Sequence, residues 1–349
     1  MRIAQVAPLI ESVPPRQYGG TERVVAYLTD ELVRQGHDVT LFATEDSHTR
    51  ARLVPCAPGA LRLEPRCRDP LPHYMYMLDE LRRRARQFDI VHFHIDYLHY
   101  PLMRALGLPH VTTLHGRQDF WDLARLYAAF PDMPLVSISN AQRAPVPDAN
   151  WVGTVYHGLP PDLYEFSPDG GDYLVFLGRI CADKGIDRAI EIATRAGREL
   201  LIAAKVDKAD REYYEACVRP LLKRPNIRYI GEVDDREKGE LLGGALGLLF
   251  PIDWPEPFGL AMIESLACGT PVVARPCGSV PELIRDGLSG RIVDGIDDAV
   301  AAVDSLRALD RAAARREFEE RFSAERMAAE YLAIYRLLLD DRTPLSSAA

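Results

Sequence analysis

Six cysteines, Cys56, Cys67, Cys181, Cys217, Cys268 and Cys277, are scattered along the chain without a single Cys-x-x-Cys spacing. That pattern argues against both a zinc site and a disulfide framework, and reduced thiols are expected. No apolar run approaches the roughly 18–20 residues needed to cross a bilayer. The opening segment MRIAQVAPLIESVPP reads as a short strand and a loop, without the hydrophobic region and cleavage site of a signal peptide, so a cytosolic protein is expected. The Gly-x-Gly-x-x-Gly fingerprint is also missing, which removes the main support for a nicotinamide or flavin site. Positive charge is in deficit: the formal net charge of −9 disfavours nucleic acid as a partner.

Lysine is scarce. The chain holds 37 Arg but five Lys, at positions 184, 205, 208, 223 and 238. A sequence that prefers arginine so strongly has placed a compact ammonium at Lys184, where a point charge fits and a flat guanidinium fork does not. The arginines are unevenly spread. Between Arg50 and Arg86 nine of them face four acidic residues, Glu64, Asp69, Asp79 and Glu80, a local net charge of +5. This island reads either as a solvated helix face or, with Tyr74, Met75, Tyr76, Met77 and Leu78 beside it, as a surface for an anionic membrane.

At 349 residues with 47% hydrophobic content, two soluble domains are the default expectation. Apolar strands are predicted at Arg2–Ala7, Asp38–Ala43, Ile90–His94, Pro109–Leu114 and Leu135–Ile138, with a helix from Thr21 to about Gln35. Alternation of this kind predicts a parallel α/β domain. The stretch LPPDLYEFSPDGGD, Leu159 to Asp172, interrupts it and reads as the linker. A second series follows, with strands near Tyr173–Leu177, Leu200–Ala203, Ile227–Ile230, Leu246–Phe250, Pro271–Ala274 and Arg291–Val293. The expected division is 1–165 and 166–322, with an amphipathic helix over about 323–340. Tyr331, Ile334, Tyr335 and Leu338 on that helix suit packing on the first domain, or alternatively a dimer surface.

The segment WPEPFGLAMIESLACG, Trp254 to Gly269, carries the chemistry. It sets Glu256 and Glu264 eight residues apart across a predicted loop-to-helix junction. A helix starting near Phe258 or Gly259 would aim its free N–H groups, through Gly259 and Leu260, at a diphosphate in front of the loop. Glu256 would precede the helix and Glu264 would lie inside it among Ala261, Met262, Ile263, Leu266 and Ala267. A carboxylate in such apolar company needs a partner or a ligand. Other candidates sit at predicted strand ends, where open α/β sheets bind ligands. Arg179 and Lys184 follow the first strand of the second domain, and His115 closes the strand Pro109–Leu114. Gly19 and Gly20, after Tyr18, permit a close backbone approach to a ligand. His92, His94 and His99 suggest a metal only weakly, because no third ligand has suitable spacing.

The Glu-x7-Glu pattern within PEPFGLAMIE, followed by ACGTPVVA, resembles the retaining glycosyltransferases of family 4. The resemblance extends over nearly the whole chain through Tyr18-Gly19-Gly20-Thr21-Glu22, Thr113-Leu114-His115-Gly116, Ser137-Ile138-Ser139, His157-Gly158, Phe176-Leu177-Gly178-Arg179 and Asp183-Lys184-Gly185. It implies the GT-B fold, two facing Rossmann-like domains with a cleft between them, the terminal helix completing the first. It further implies sugar transfer from a nucleoside-diphosphate donor. Arg179, Lys184 and the Phe258-Gly259-Leu260 turn would hold the diphosphate, Glu264 the ribose, and Glu256 and His115 the transferred sugar. Gly19 and Gly20 would face the phosphate and sugar, and Tyr18, His94 and Asp96 the acceptor side. Two departures leave the donor's identity open: Ala203-Ala204-Lys205 where many members have glycine, and His157-Gly158-Leu159-Pro160 in place of an Asn-Gly-acidic turn. A same-fold phosphorylase or epimerase, or a catalytically idle sugar-nucleotide-binding protein, remains an alternative reading. Oligomeric state is not legible.

Asp-x-Asp, the spacing with which many sugar transferases hold a metal, occurs nowhere in the chain. Two cations and a helix N-terminus can substitute, since one charge pair at about 4 Å contributes on the order of 4 kcal/mol near a protein surface. No cofactor and no metal are therefore expected. Turnover should persist in EDTA; a collapse restored by magnesium or manganese would contradict this.

Overall fold

The computed structural model describes residues 1–16 and 19–340. The chain divides into two compact units. One runs from Met1 to Gly158 and takes in the terminal segment from Ala324, while the other is Leu159–Ser323. The divisions thus fall at 158/159 and 323/324, where the sequence suggested 165/166 and 322/323. Hydrogen bonds account for the shift. The Leu159 N–H donates to the Phe322 carbonyl at 2.9 Å, and the Arg315 guanidinium donates to Pro161 O at 2.7 Å and Tyr164 O at 3.1 Å. The segment 159–164 is therefore stitched to the second unit.

The first unit is built on seven strands: β1 (Arg2–Val6), β2 (Asp38–Thr44), β3 (Arg52–Ala57), β4 (Ile90–Phe93), β5 (His110–Thr113), β6 (Leu135–Ser137) and β7 (Trp151–Thr154). All pair in parallel, in the order β3-β2-β1-β4-β5-β6-β7. Every residue of β4 and β5 is buried, as expected of a parallel sheet covered by helices on both faces. Strand order reverses between β1 and β4, and at such a switch the loops leaving the two C-terminal ends diverge and open a crevice.

The second unit repeats the plan with β8 (Leu174–Arg179), β9 (Leu200–Lys205), β10 (Ile227–Gly231), β11 (Gly247–Phe250), β12 (Val272–Ala274) and β13 (Gly290–Ile292). Its order is β10-β9-β8-β11-β12-β13, again all parallel. The reversal lies between β8 and β11, where Gly247 and Leu248 pair with Leu174 and Val175. Both units therefore follow the Rossmann winding, and each core lies between its sheet and the flanking helices. A core cluster of the second unit includes Phe176, Ile186, Ile190, Leu200, Ile202 and Leu249.

Eleven of the thirteen strands coincide with predicted ones to within a residue or two at most ends. The two others, β3 and β7, are the two edges of the seven-stranded sheet. β3 carries Pro55 at a register shift against Ala43 and Thr44, and proline is tolerated in sheets at edges and bulges. β7 contains Gly153 and is half-buried throughout, so neither strand shows a fully apolar run.

The terminal helix, Ala324–Asp340, buries Met327, Ala328, Tyr331, Leu332, Ile334 and Tyr335 within the first unit. Ile334 fixes the glycine in β7: a Cβ on Gly153 would stand 2.8 Å from its Cδ1. Among the described residues no helix is long and apolar enough to cross a membrane. Six of the nine arginines of the basic island are ion-paired: Arg52 with Asp38, Arg62 with Glu11, Arg66 with Glu64, Arg82 and Arg83 with Asp79, and Arg84 with Glu80. Tyr74, Met77 and Leu78 are buried, while Leu71, Met75 and Tyr76 are exposed.

Removing the Ile334 side chain beyond Cβ should cost about 2–5 kcal/mol, as for other large-to-small core changes. Ile334→Ala is expected to lower the denaturation midpoint accordingly, and an unchanged midpoint would show that the terminal helix does not hold the first unit together.

Candidate functional site

The switch point of the second unit gathers the residues singled out in its sequence. Arg179 ends β8, Lys184 lies in the turn Ala182–Lys184 that follows, and the Glu256 loop leaves β11. Lys184 is mostly buried and ion-paired with Glu256, Nζ to Oε2. Its ammonium also lies 5.1 Å from the Trp254 ring centre and 5.9 Å from that of Phe250, the geometry of a cation on aromatic faces. Close backbone approach sets this pair. Gly185 has φ +68°, and a Cβ there would meet the Pro251 carbonyl oxygen at 2.2 Å. Gly278, with φ +58°, lies so close that a Cβ would come within 2.3 Å of the Glu256 carbonyl oxygen. That carbonyl accepts from the Ser279 N–H at 3.0 Å.

The helix after Glu256 spans Leu260–Ala267, starting one or two residues after the Phe258 or Gly259 expected from the sequence. Its N-cap is Gly259, in the left-handed region at φ +88°, so no capping side chain covers the first-turn N–H groups. These donors and the positive end of the helix dipole suit an anion. Phe258 lies in the turn before the helix. Its side chain is buried and packs edge-on against Phe322 at 6.4 Å, leaving only its backbone to shape the turn.

Glu264 is buried on this helix, and its partner is a residue the sequence reading missed. Lys238 Nζ lies 2.7 Å from Glu264 Oε1, and the Tyr164 hydroxyl donates to the same oxygen at 3.3 Å. Lys238 also pairs with Asp235 Oδ1 at 3.2 Å. It comes from the helix Asp235–Gly243, opened by a capping box between Asp234 and Glu237. Two of the five lysines thus neutralise the two carboxylates of the Glu-x7-Glu motif, and the scarcity of lysine was the signal that could have found Lys238.

Arg179 belongs to a separate group of charges. It lies 3.4 Å from Asp210 and 3.7 Å from Asp207, and Asp207 also pairs with Lys205 at 2.9 Å. Arg179 and Lys205 are register partners at the ends of β8 and β9. The departure from the family pattern at Lys205 therefore puts a second cation beside Arg179.

In the first unit the helix Gly20–Arg34 also has a glycine N-cap, Gly19, without a capping side chain. A Cβ on Gly19 would meet Pro15 at 2.8 Å. Tyr18 lies outside the described residues. Glu22, buried in the first turn, has its carboxyl pushed above the ordinary range by burial and by the nearby Glu11. Asp96 is exposed and holds φ +53°, the one non-glycine residue with positive φ among those described.

His115 leaves the end of β5. Its Nε2 lies 2.9 Å from His94 Nδ1, and its ring stacks on His157 with centres 5.2 Å apart. Burial pushes the His115 imidazole down to about 3, so it is neutral at physiological pH. Its Nδ1 is buried without a hydrogen-bond partner among the described residues. His94, expected on the acceptor side, is instead buried with both ring nitrogens engaged, the other with Gln5 Oε1 at 2.8 Å. It can reach a ligand only through His115. His92 binds Tyr335 and Thr113, both at 2.7 Å, and His99 binds Thr112 at 2.8 Å. Among the described residues no group of three or more His, Cys, Asp or Glu is arranged to hold a metal.

Two Rossmann-type units in tandem, each with a glycine-capped helix at its switch point, define the chain as a glycosyltransferase of the GT-B architecture. Residues 165–324 match the family model described as glycosyl transferases group 1, and residues 18–143 match that of glycosyltransferase family 4. The chain belongs to glycosyltransferase family 4. It is 26% identical to the D-inositol 3-phosphate glycosyltransferase of Mycolicibacterium smegmatis, over 84% of this chain and 79% of the relative. Among solved structures it resembles AviGT4, a glycosyltransferase involved in avilamycin A biosynthesis, at 25% identity and a TM-score of 0.75, covering 97% of this chain and 98% of that one. Anabaena HepE in complex with UDP-glucose has the same fold, with a TM-score of 0.74 at 16% identity over 95% and 99% of the two chains.

Removing one partner of a buried ion pair costs about 3–5 kcal/mol, because the other charge is left uncompensated. Lys184→Met should therefore lower Tm by on the order of 10 °C, and Lys184→Met/Glu256→Gln should recover most of it. Equal Tm values for the two variants would mean that the Lys184–Glu256 pair is not formed in solution.

Proposed function

We propose that the protein is a retaining, metal-independent transferase that moves a sugar from a nucleoside-diphosphate sugar to an acceptor hydroxyl. The observation that carries this reading is the paired arrangement at the second unit's switch point, where each motif carboxylate has its own lysine and an uncapped helix N-terminus falls between the two carboxylates in sequence. In this reading the diphosphate lies on the first-turn N–H groups of Leu260–Ala267 and draws on the Lys184 charge. Negative charge that develops as the nucleoside diphosphate departs is stabilised by fixed dipoles and an ammonium that need no reorganisation. Glu264, oriented by Lys238 and Tyr164, takes the ribose hydroxyls.

Glu256 and the neutral His115 are assigned to the transferred sugar, and Gly19 and Gly20 to its phosphate. Glu256 is ion-paired with Lys184, which suits hydroxyl recognition better than free nucleophilic attack. Retention then follows from front-face attack, with the leaving phosphate oxygen accepting the proton of the acceptor hydroxyl. The bond from the anomeric carbon to the phosphate oxygen breaks as the bond to the acceptor oxygen forms on the same face. Complexes of Anabaena HepE with UDP and UDP-glucose support a nucleotide sugar as the donor class.

A thermal-shift screen with UDP-, GDP-, ADP- and dTDP-glucose in EDTA tests the reading. One nucleotide should raise Tm, and the shift should vanish in Lys184→Met/Glu256→Gln, whose buried charges are both removed. Stabilisation that survives in the double variant would displace the donor from this site, and an inverted anomer in the product would overturn the retaining mechanism.

A further inference from the structure

A chain of hydrogen bonds runs through the core of the first unit and ends at His115. The Gln5 side-chain amide N–H donates to the Tyr335 hydroxyl at 3.2 Å. Tyr335 lies 2.7 Å from His92 Nδ1, His92 Nε2 lies 2.7 Å from Thr113 Oγ1, and Thr113 Oγ1 lies 2.8 Å from the Tyr331 hydroxyl. On the other side Gln5 Oε1 lies 2.8 Å from His94 Nε2, and His94 Nδ1 lies 2.9 Å from His115 Nε2. Gln5, His92, His94, Thr113, Tyr331 and Tyr335 are all buried.

Donor and acceptor roles along this chain are not independent. An amide oxygen can only accept, so His94 Nε2 must carry a proton for Gln5 to bond it. A neutral imidazole carries one proton, so His94 Nδ1 is bare and must accept. The proton between the two rings then belongs to His115 Nε2. His115 Nδ1 is consequently bare, and it is the ring nitrogen that no group among the described residues engages. Burial keeps both imidazoles neutral, His94 well below its ordinary range and His115 at about 3. Beyond Gln5 the direction is equally consistent: Tyr335 donates to His92 Nδ1, His92 Nε2–H donates to Thr113, and Thr113 donates to Tyr331. Turning the Gln5 amide over would move every proton one place and leave His115 with a buried Nδ1–H.

We propose that Gln5 and His94 are positioning residues that lock His115 as its Nε2–H tautomer, so that Nδ1 recognises a ligand hydroxyl by accepting its proton rather than by donating one. The inference rests on the reading of His115 as a sugar contact only for the nature of the ligand; the tautomer is a property of the free protein. A sugar hydroxyl is the group that fits, because it can donate to a bare nitrogen, whereas a carbonyl or phosphate oxygen has no proton to give. Tyr331 and Tyr335 bring the terminal helix into the same chain, so the last helix of the unit bears on the state of its histidine.

Long-range 1H–15N correlation spectra of the ligand-free, 15N-labelled protein at neutral pH test this, with His115→Ala used to assign the resonances. His115 and His94 should each show a protonated Nε2 and a bare Nδ1. A protonated Nδ1 on His115, or an exchange average of the two forms, overturns the proposal whether or not any variant folds. In Gln5→Leu the His115 signal should become such an average, and kcat should fall about tenfold with KM little changed. His94→Asn, which keeps an oxygen near the Nδ1 position, should retain most of the activity. A His115 tautomer unmoved in Gln5→Leu would sink the role of Gln5. Absence of sugar transfer in the wild-type protein would instead count against the function proposed above and leave the tautomer result standing.

Discussion

A carboxylate cannot be buried in an apolar helix without a cation to go with it, and much of the second unit is arranged around that constraint. Glu264 sits among Met262, Ile263, Leu266 and Ala267, and Lys238 is brought to it from the helix packed alongside. Glu256 is matched in the same way by Lys184. With both charges compensated internally, the backbone N–H groups at the start of this helix are left without a side-chain cap. The glycine N-cap makes those donors accessible, and the same device recurs at the helix Gly20–Arg34 in the first unit.

Strand order places these devices. In both sheets the winding reverses between neighbouring strands, β1 and β4 in one and β8 and β11 in the other. The loops after β8 and β11 carry Lys184 and Glu256, and the chain after β1 leads to the Gly19-capped helix. Adjacent strands with diverging connections bring segments some seventy residues apart in sequence into contact, as in the Lys184–Glu256 pair. Glycines 185 and 278 then permit backbone approaches that no other residue would allow.

Much of this was legible in the sequence, for identifiable reasons. Interior strands of a parallel sheet are apolar on both faces, so β1, β2, β4, β5, β6, β8, β9, β11 and β12 announce themselves. The edge strands β3 and β7 do not, because one side of each lacks a neighbour and tolerates Pro55 or Gly153. The Glu-x7-Glu spacing disclosed the helix and its two carboxylates, and the apolar neighbours of Glu264 required a partner. For the residue that supplied it, the scarcity of lysine was the one clue in the sequence, because Lys238 is 26 residues away and reaches Glu264 only through tertiary packing. Phe258 shows the converse: a residue inside the motif whose side chain serves the core. The pairing of His94 with His115 was likewise beyond sequence pattern, since it depends on the registers of β4 and β5 and on a glutamine in β1.

The first unit is assembled from both ends of the described chain, with the whole second unit inserted between Gly158 and Ala324. Synthesis at roughly 5–20 residues per second would therefore separate β7 from the helix Ala324–Asp340 by on the order of ten to thirty seconds. During that interval the seven strands exist without the face that Tyr331, Ile334 and Tyr335 will cover, and His92 and Thr113 lack their tyrosine partners. The inserted unit has all of its own strands by then and can fold first. On the ribosome the order of maturation is thus the reverse of the order of the sequence: the unit begun first is the one completed last.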